Sequence, residues 1–396
     1  MSGARPRRGP PLHRSLIILC GALAGACGDD LIAAAPDAGG TPDAAVDAAP
    51  ADACNPSAGT DVSFDPAAEP CQLLSSYRFF ADGPGQLPNQ GVVPYDLNSA
   101  LFSDYATKHR FIWLPPGEAM TYSESDVFDM PVGSVIVKTF SYLHDLRDPQ
   151  GGEQLVETRL LVHLADGWKG RIYVWNQEQT DAELRVAGAR VPVEWVHTDG
   201  ETRQLNYLVP NSNQCKECHI AAGDVVRPIG IQARHLNRDF DGGGGPENQL
   251  TALTEMGYLT GAPADPADAP RAPVWDDPDS GTVDARSRAW LDINCSHCHN
   301  PVGPARTSGL DLSIGQTDPG KLGVCKTPIA AGPGTGGRSY DIVPGQPDDS
   351  ILTFRIESVE PEVRMPELLR QLVQDESVAL MRDWITAMKG GCSPSG

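Results

Sequence analysis

The chain has 396 residues, with 52 acidic against 31 basic side chains and a formal net charge of −21. A surface this acidic excludes nucleic-acid binding, which needs a basic face to neutralise phosphates. It suits the steering of basic protein partners, or plain solubility. Once a leader is set aside, the length is enough for two domains.

Arg5, Arg7, Arg8 and Arg14 precede a short apolar run, 16–26, that closes on Leu23-Ala24-Gly25-Ala26-Cys27. A basic region before a short apolar stretch reads as a secretory signal, too short to span a bilayer as a helix. Small residues ahead of a cysteine predict a signal with a lipobox over 1–26 and Cys27 as the lipidated first residue. Ordinary signal cleavage nearby, with Cys27 incidental, is the alternative. Loss of the four arginines takes the charge from −21 to −25. Residues 27–60, rich in Ala, Asp and Pro, have too few large apolar side chains to bury a core. They predict a disordered tether behind a lipid anchor. The expected place is the periplasm or cell surface of a Gram-negative bacterium. Gly28, rather than an aspartate, after the cysteine points to the outer membrane.

Residues 61–213 read as β. SVIVKTFSYL (134–143), QLVETRLLVHL (154–164), RIYVWN (171–176) and QLNYLV (204–209) are β-branched and aromatic, with turn signals at 148–152 and 165–167. An antiparallel sandwich or small barrel is the expectation. From 214 the texture changes to Gly/Pro-rich segments with short helical patterns over 249–261, 284–299 and 376–391. Together these give an α+β chain: a β-rich domain (61–213), a linking segment (214–282) and an α-helical cytochrome c-like region (283–396).

Two motifs carry the chemistry: Cys215-Lys216-Glu217-Cys218-His219 and Cys295-Ser296-His297-Cys298-His299. Both are C-x-x-C-H, the pattern of covalent c-type haem attachment. Two thiols on one turn can each add to a haem vinyl group, and the following histidine falls beneath the iron as proximal ligand. The expected cofactors are therefore two covalent haems, attached through Cys215, Cys218, Cys295 and Cys298, with His219 and His299 on iron. The rival is a four-cysteine zinc site. Zinc does not require a histidine after each pair, and free thiolates survive poorly in an oxidising compartment. His297, between the cysteines of the second motif, is expected to point outward and not to ligate.

Met365, in Arg364-Met365-Pro366 between the second motif and the last helix, is the expected distal ligand of the second haem; a core methionine is the alternative. His/Met ligation would raise the potential. For the first haem the choice stays open among His235, Met256, the β-region histidines His109, His144, His163 and His197, and an empty sixth position. Met381 and Met388 fit a helical stripe and read as core. Segment 301–312 is expected to wrap the second haem. Cys54, Cys71, Cys325 and Cys392 allow three pairings; grouping by region favours Cys54–Cys71 and Cys325–Cys392. There is no nucleophile elbow, zincin helix or phosphate loop.

The strings PYDLNSALFSDYATKHRFIWLPPG (94–117), ETRLLVHLADGWKGRIYVWNQEQTDA (157–182), VPNSNQCKECH (209–219), RSRAWLDINCSHCHNPVGP (286–304) and YDIVPGQPDDSIL (340–352) resemble the bacterial family of predicted dihaem c-type cytochromes, largely uncharacterised exported proteins. The likeness spans roughly 73–387. It implies an exported protein with both motifs occupied; members of the family are sometimes encoded beside a parallel β-helix protein, which suggests a surface or periplasmic partner. Three functions remain in view: an electron carrier serving an unidentified redox protein, a dihaem peroxidase-like or oxidase-like enzyme with an open site on the first haem, or a cytochrome delivered to its target by a carbohydrate- or surface-binding β domain.

Overall fold

A computed structural model describes residues 54, 60–221, 223, 225–329 and 331–393. The expected leader, Cys27 and nearly all of the Ala/Asp-rich segment lie outside them. The described residues belong to one compact unit, in which no helix is long and apolar enough to cross a membrane.

The unit is built on a six-stranded antiparallel sheet: β1 (Val92–Pro94), β2 (Thr107–Trp113), β3 (Val135–Leu143), β4 (Glu153–Leu164), β5 (Gly167–Trp175) and β6 (Ala182–Leu184), in that spatial order. Neighbour follows neighbour because the reversals are short. Gly152 (φ +92°) leads into β4 and Gly167 (φ +109°) opens β5, both in the left-handed region that glycine enters at little cost. A separate hairpin, β7 (Ala189–Val196) with β8 (Thr202–Val209), packs on one face. The expected sandwich or barrel is thus an open sheet with a two-stranded lid. Most of its cover comes from elsewhere in the chain, which strand patterns do not reveal.

Side-chain alternation gives the sheet two apolar faces. Val135, Val137, Tyr173 and Trp175 meet Cys71, Leu74, Tyr77 and Phe79 of the N-terminal segment on the outer face. On the inner face Ile112, Ile136 and Leu161 pack against Ile231, Leu236, Leu250 and Leu253, whereas Phe140, Tyr142 and Ile172 pack against Trp195 and Tyr207 of the hairpin.

The helices are α1 (Ser212–His219), α2 (Ala233–Leu236), α3 (Gln249–Glu255), α4 (Val283–Leu291), α5 (Ile351–Glu357) and α6 (Asp375–Ala387). The helix expected over 249–261 ends early: Gly257 (φ +75°) breaks it, and Leu259–Thr260 pairs in parallel with Met120–Thr121. Trp290 and Leu291 of α4 pack on Met381, Trp384 and Ile385 of α6, with Met388 at the edge. The tryptophans also satisfy their N–H groups there. Trp384 donates to Asp284 Oδ1 (2.7 Å) and Trp290 to Gln374 Oε1 (3.0 Å). Disulfides join Cys54 to Cys71 and Cys325 to Cys392.

A buried charge cluster ties the segment after α4 to α2, which packs on the inner face of the sheet. Asp292, just after α4, accepts from Arg234 Nε (2.7 Å) and lies 3.3 Å from His235 Nε2. Burial pushes the Asp292 carboxyl up, but His235 and Arg234 more than offset it and hold the group at about 2.

Candidate haem sites

The first motif lies on α1. Asn211 caps this helix through its side chain, and Gln214 returns a bond to the Asn211 backbone, a complete capping box. The helix rests on β5 at Gly170, where an added Cβ would come within 3.4 Å of the Cys215 Cβ. Cys215, Cys218 and His219 face a cavity floored by the inner face of the sheet. His219 Nδ1 is 2.8 Å from the Arg227 carbonyl, which fixes the ring and leaves Nε2 to the cavity. Burial, then the nearby Lys138 charge, lowers the His219 pKa to about 3.

The same cavity holds an unusual row of cations. Arg110, Lys138 and Arg159 are cross-strand neighbours in register on β2, β3 and β4, and all three line the cavity with Lys108. Like charges placed directly opposite destabilise a sheet. The outer two have partners: Arg110 bonds Asp96 (2.6 Å) and Arg159 bonds Glu157 (2.5 Å). Lys138, between them, has no carboxylate partner among the described residues; its ammonium lies 5.1 Å from the Phe140 ring centroid. Burial and the arginines lower its pKa to about 7. Such a wall calls for an anionic ligand, and haem propionates are of the right charge.

The second motif follows α4 on a π-helical turn, Asp292–Ser296, where widened turns are frequent at functional sites. His299 Nδ1 is 3.1 Å from Ser308 Oγ, which in turn donates to the Ala305 carbonyl. The ring therefore donates Nδ1–H and keeps Nε2 free. Segment 301–312 closes on the motif through Ala305 N–H to the Cys298 carbonyl (3.1 Å) and Leu312 N–H to the His299 carbonyl (2.9 Å). Burial, then Arg355, lowers the His299 pKa to about 4.

Cys215, Cys218, Cys295 and Cys298 are the free cysteines among the described residues. Burial raises all four, Cys295 and Cys298 to about 12, so they are held as neutral thiols. No group of three or more His, Cys, Asp or Glu side chains among the described residues could hold a bare metal ion. The donor set instead fits haem: a thiol pair and a pre-oriented imidazole at each motif, with cations beside the first.

Met365 is half-buried on the loop between α5 and α6, its N–H donating to the Arg355 carbonyl (3.0 Å). Arg355 and Glu367, close by on the chain, are charges felt by His299. Asp104 pins the loop's far end by accepting from Gln371 and Leu372 N–H (3.0 and 2.8 Å). Pro366, Leu368 and Leu369 thereby reach the first-motif cavity.

The other expected candidates do not converge. His235 is buried against Asp292 and does not line the cavity of the first motif. His109 bonds Glu153 (2.8 Å), and His163 bonds the Met130 carbonyl and stacks on Trp168. His197 is buried edge-on to Tyr105 and Met256 is exposed. His297 corrects its expectation. It does not point outward: its ring lines the first-motif cavity and its Nδ1 is sealed from solvent. The acceptors Arg227 and Ser308 and the cation row also escaped the sequence reading. The inward lysine was detectable there, because Ile136, Lys138 and Phe140 alternate onto one face. No family model, curated protein or solved structure matches this chain.

Proposed function

We propose that the chain is an exported dihaem c-type cytochrome that passes single electrons between two covalently held haems and a redox partner. The reading rests on one paired observation: each motif histidine has its Nδ1 held by a protein acceptor, Arg227 O or Ser308 Oγ, leaving Nε2 for iron. Acceptors of this kind orient metal-ligating histidines and raise their basicity. Haem, when bound, supplies a one-electron iron couple.

The chain's own residues do the rest. Cys215, Cys218, Cys295 and Cys298 would hold the two haems as thioethers, each Sγ–H adding across a vinyl group with nothing leaving. His219 and His299 would ligate the two irons through Nε2, and Met365 would be the second ligand at the second site. Lys138, with Lys108 at its side, neutralises propionate charge, and the apolar wall at Leu368 and Leu369 excludes water. On the same reading Cys27 bears a lipid anchor at the outer membrane, 27–60 is the tether, and the acidic surface meets a basic redox protein or a β-helix surface protein.

The deciding experiment expresses the full chain with c-haem maturation machinery, quantifies haem per chain and records oxidised and reduced spectra with and without peroxide. Two covalent haems, both low-spin and unmoved by peroxide, are expected of the carrier. A high-spin component that responds to peroxide would make the chain an enzyme. Absence of haem would overturn the reading. Within it, Met365→Ala should lower the potential of one couple and leave the other in place, as a redox titration reads.

A further inference from the structure

The turn Cys295–His299 carries one imidazole more than its own haem needs. At about 100° per residue, Cys295, Cys298 and His299 cluster on one side of a helical turn and His297 falls on the opposite side. Behind that turn lies the cavity of the first motif. Cys215, Cys218, His219 and His297 all line it, together with apolar Ile293 and Leu369.

The His297 Nδ1 is buried, and among the described residues no partner meets strict hydrogen-bond geometry there; the backbone of Ile293, one turn back, is the acceptor that bears on the ring. A buried polar atom left without a partner is costly, and each such exception asks for an explanation, of which a bound group is one. Among the described residues no histidine besides His219 and His297 lines this cavity; His109, His163 and His235 are committed elsewhere.

We propose that His297 is the sixth ligand of the haem attached at Cys215 and Cys218, opposite His219. This rests on the dihaem reading above. One turn of chain then holds the proximal ligand of the second haem and the distal ligand of the first. The first iron takes two imidazoles and the second an imidazole and a thioether, so the two couples differ in potential. A closed sixth position at the first site also makes the chain a carrier rather than a peroxidase.

The test uses the full, haem-loaded chain. Near-infrared magnetic circular dichroism of the ferric protein should read one bis-imidazole haem and one imidazole–thioether haem. His297→Gly should keep two covalent haems and turn one of the two from low to high spin, and added imidazole should restore low spin. A merely structural histidine would give no such rescue. Two haems with unchanged spin states in His297→Gly would overturn this inference and leave the dihaem reading standing. So would a wild-type first haem that is high-spin, or ligated by an amine. If the variant does not fold, the wild-type ligand spectrum decides alone. No haem in the wild type would overturn both readings.

Discussion

The two C-x-x-C-H turns are alike in sequence and differ in how the fold holds them. The first lies on a capped helix laid over a sheet, with a cavity in front and a row of cations across it. The second lies on a π-helical turn locked between the α4–α6 core and the Asp292 cluster. Attachment chemistry needs only the local turn. What a haem would meet after attachment is set by distant chain: β2 to β4 at the first site, and the loop bearing Met365 at the second. Equal motifs thus make unequal sites.

The sharpest break in this comparison is removal of one thiol pair. Cys215→Ala with Cys218→Ala, or Cys295→Ala with Cys298→Ala, should each halve haem per chain, measured by haemochrome absorbance and intact mass. The survivors should differ: the chain keeping the second haem retains the higher potential. Identical survivors would erase the distinction between the sites.

The next effect bears on the link between them. Asp292→Ala leaves the half-buried Arg234 and the buried His235 without their shared carboxylate and should cost at most about 3–5 kcal/mol in denaturant unfolding. Because the folded pKa is depressed to about 2, below the unfolded value near 3.9, the group's stabilisation is fully present above pH 5. It is lost as pH falls toward 2. The variant should lose that part of the acid dependence. A cost under about 1 kcal/mol would mean that the cluster does not bind the second turn to the sheet.

Much of this was legible in the sequence, for physical reasons. Strands β3, β4, β5 and β8 announced themselves by β-branched and aromatic runs between glycine turns, and α4 and α6 by apolar spacing. The disulfide partners are close along the chain or within one region. The rest depends on contacts that no local pattern encodes. A helical wheel says that His297 faces away from Cys295 and Cys298; only the packing of 293 against 97, 231 and 236 decides that away means into another site rather than into water. Arg227 and Ser308 act eight and nine residues beyond their histidines, one through a backbone carbonyl that any residue type could supply. The open sheet was read as a sandwich because its cover includes short helices and a cystine-tied N-terminal segment, neither of which alternates.

The last comparison concerns the cation row, and it separates the sheet's need from the ligand's. In the haem-free chain, burial and the flanking arginines depress the Lys138 pKa to about 7, well below the unfolded value near 10.4. Between these values the unfolded chain binds more protons than the folded one, so stability should rise with pH, by at most about 1.4 kcal/mol per pH unit. Below pH 7 the full penalty persists; above about 10.4 it is gone. Lys138→Met should flatten this slope, measured by urea unfolding of apoprotein from pH 6.5 to 9.5. In the loaded protein the sign of the effect should reverse: propionate charge stabilises the ammonium, and Lys138→Met then weakens the first site while leaving the second unchanged. A substitution that stabilises the empty fold and weakens the filled one marks Lys138 as placed for the ligand. If apo and loaded proteins respond alike, the row belongs to the sheet alone.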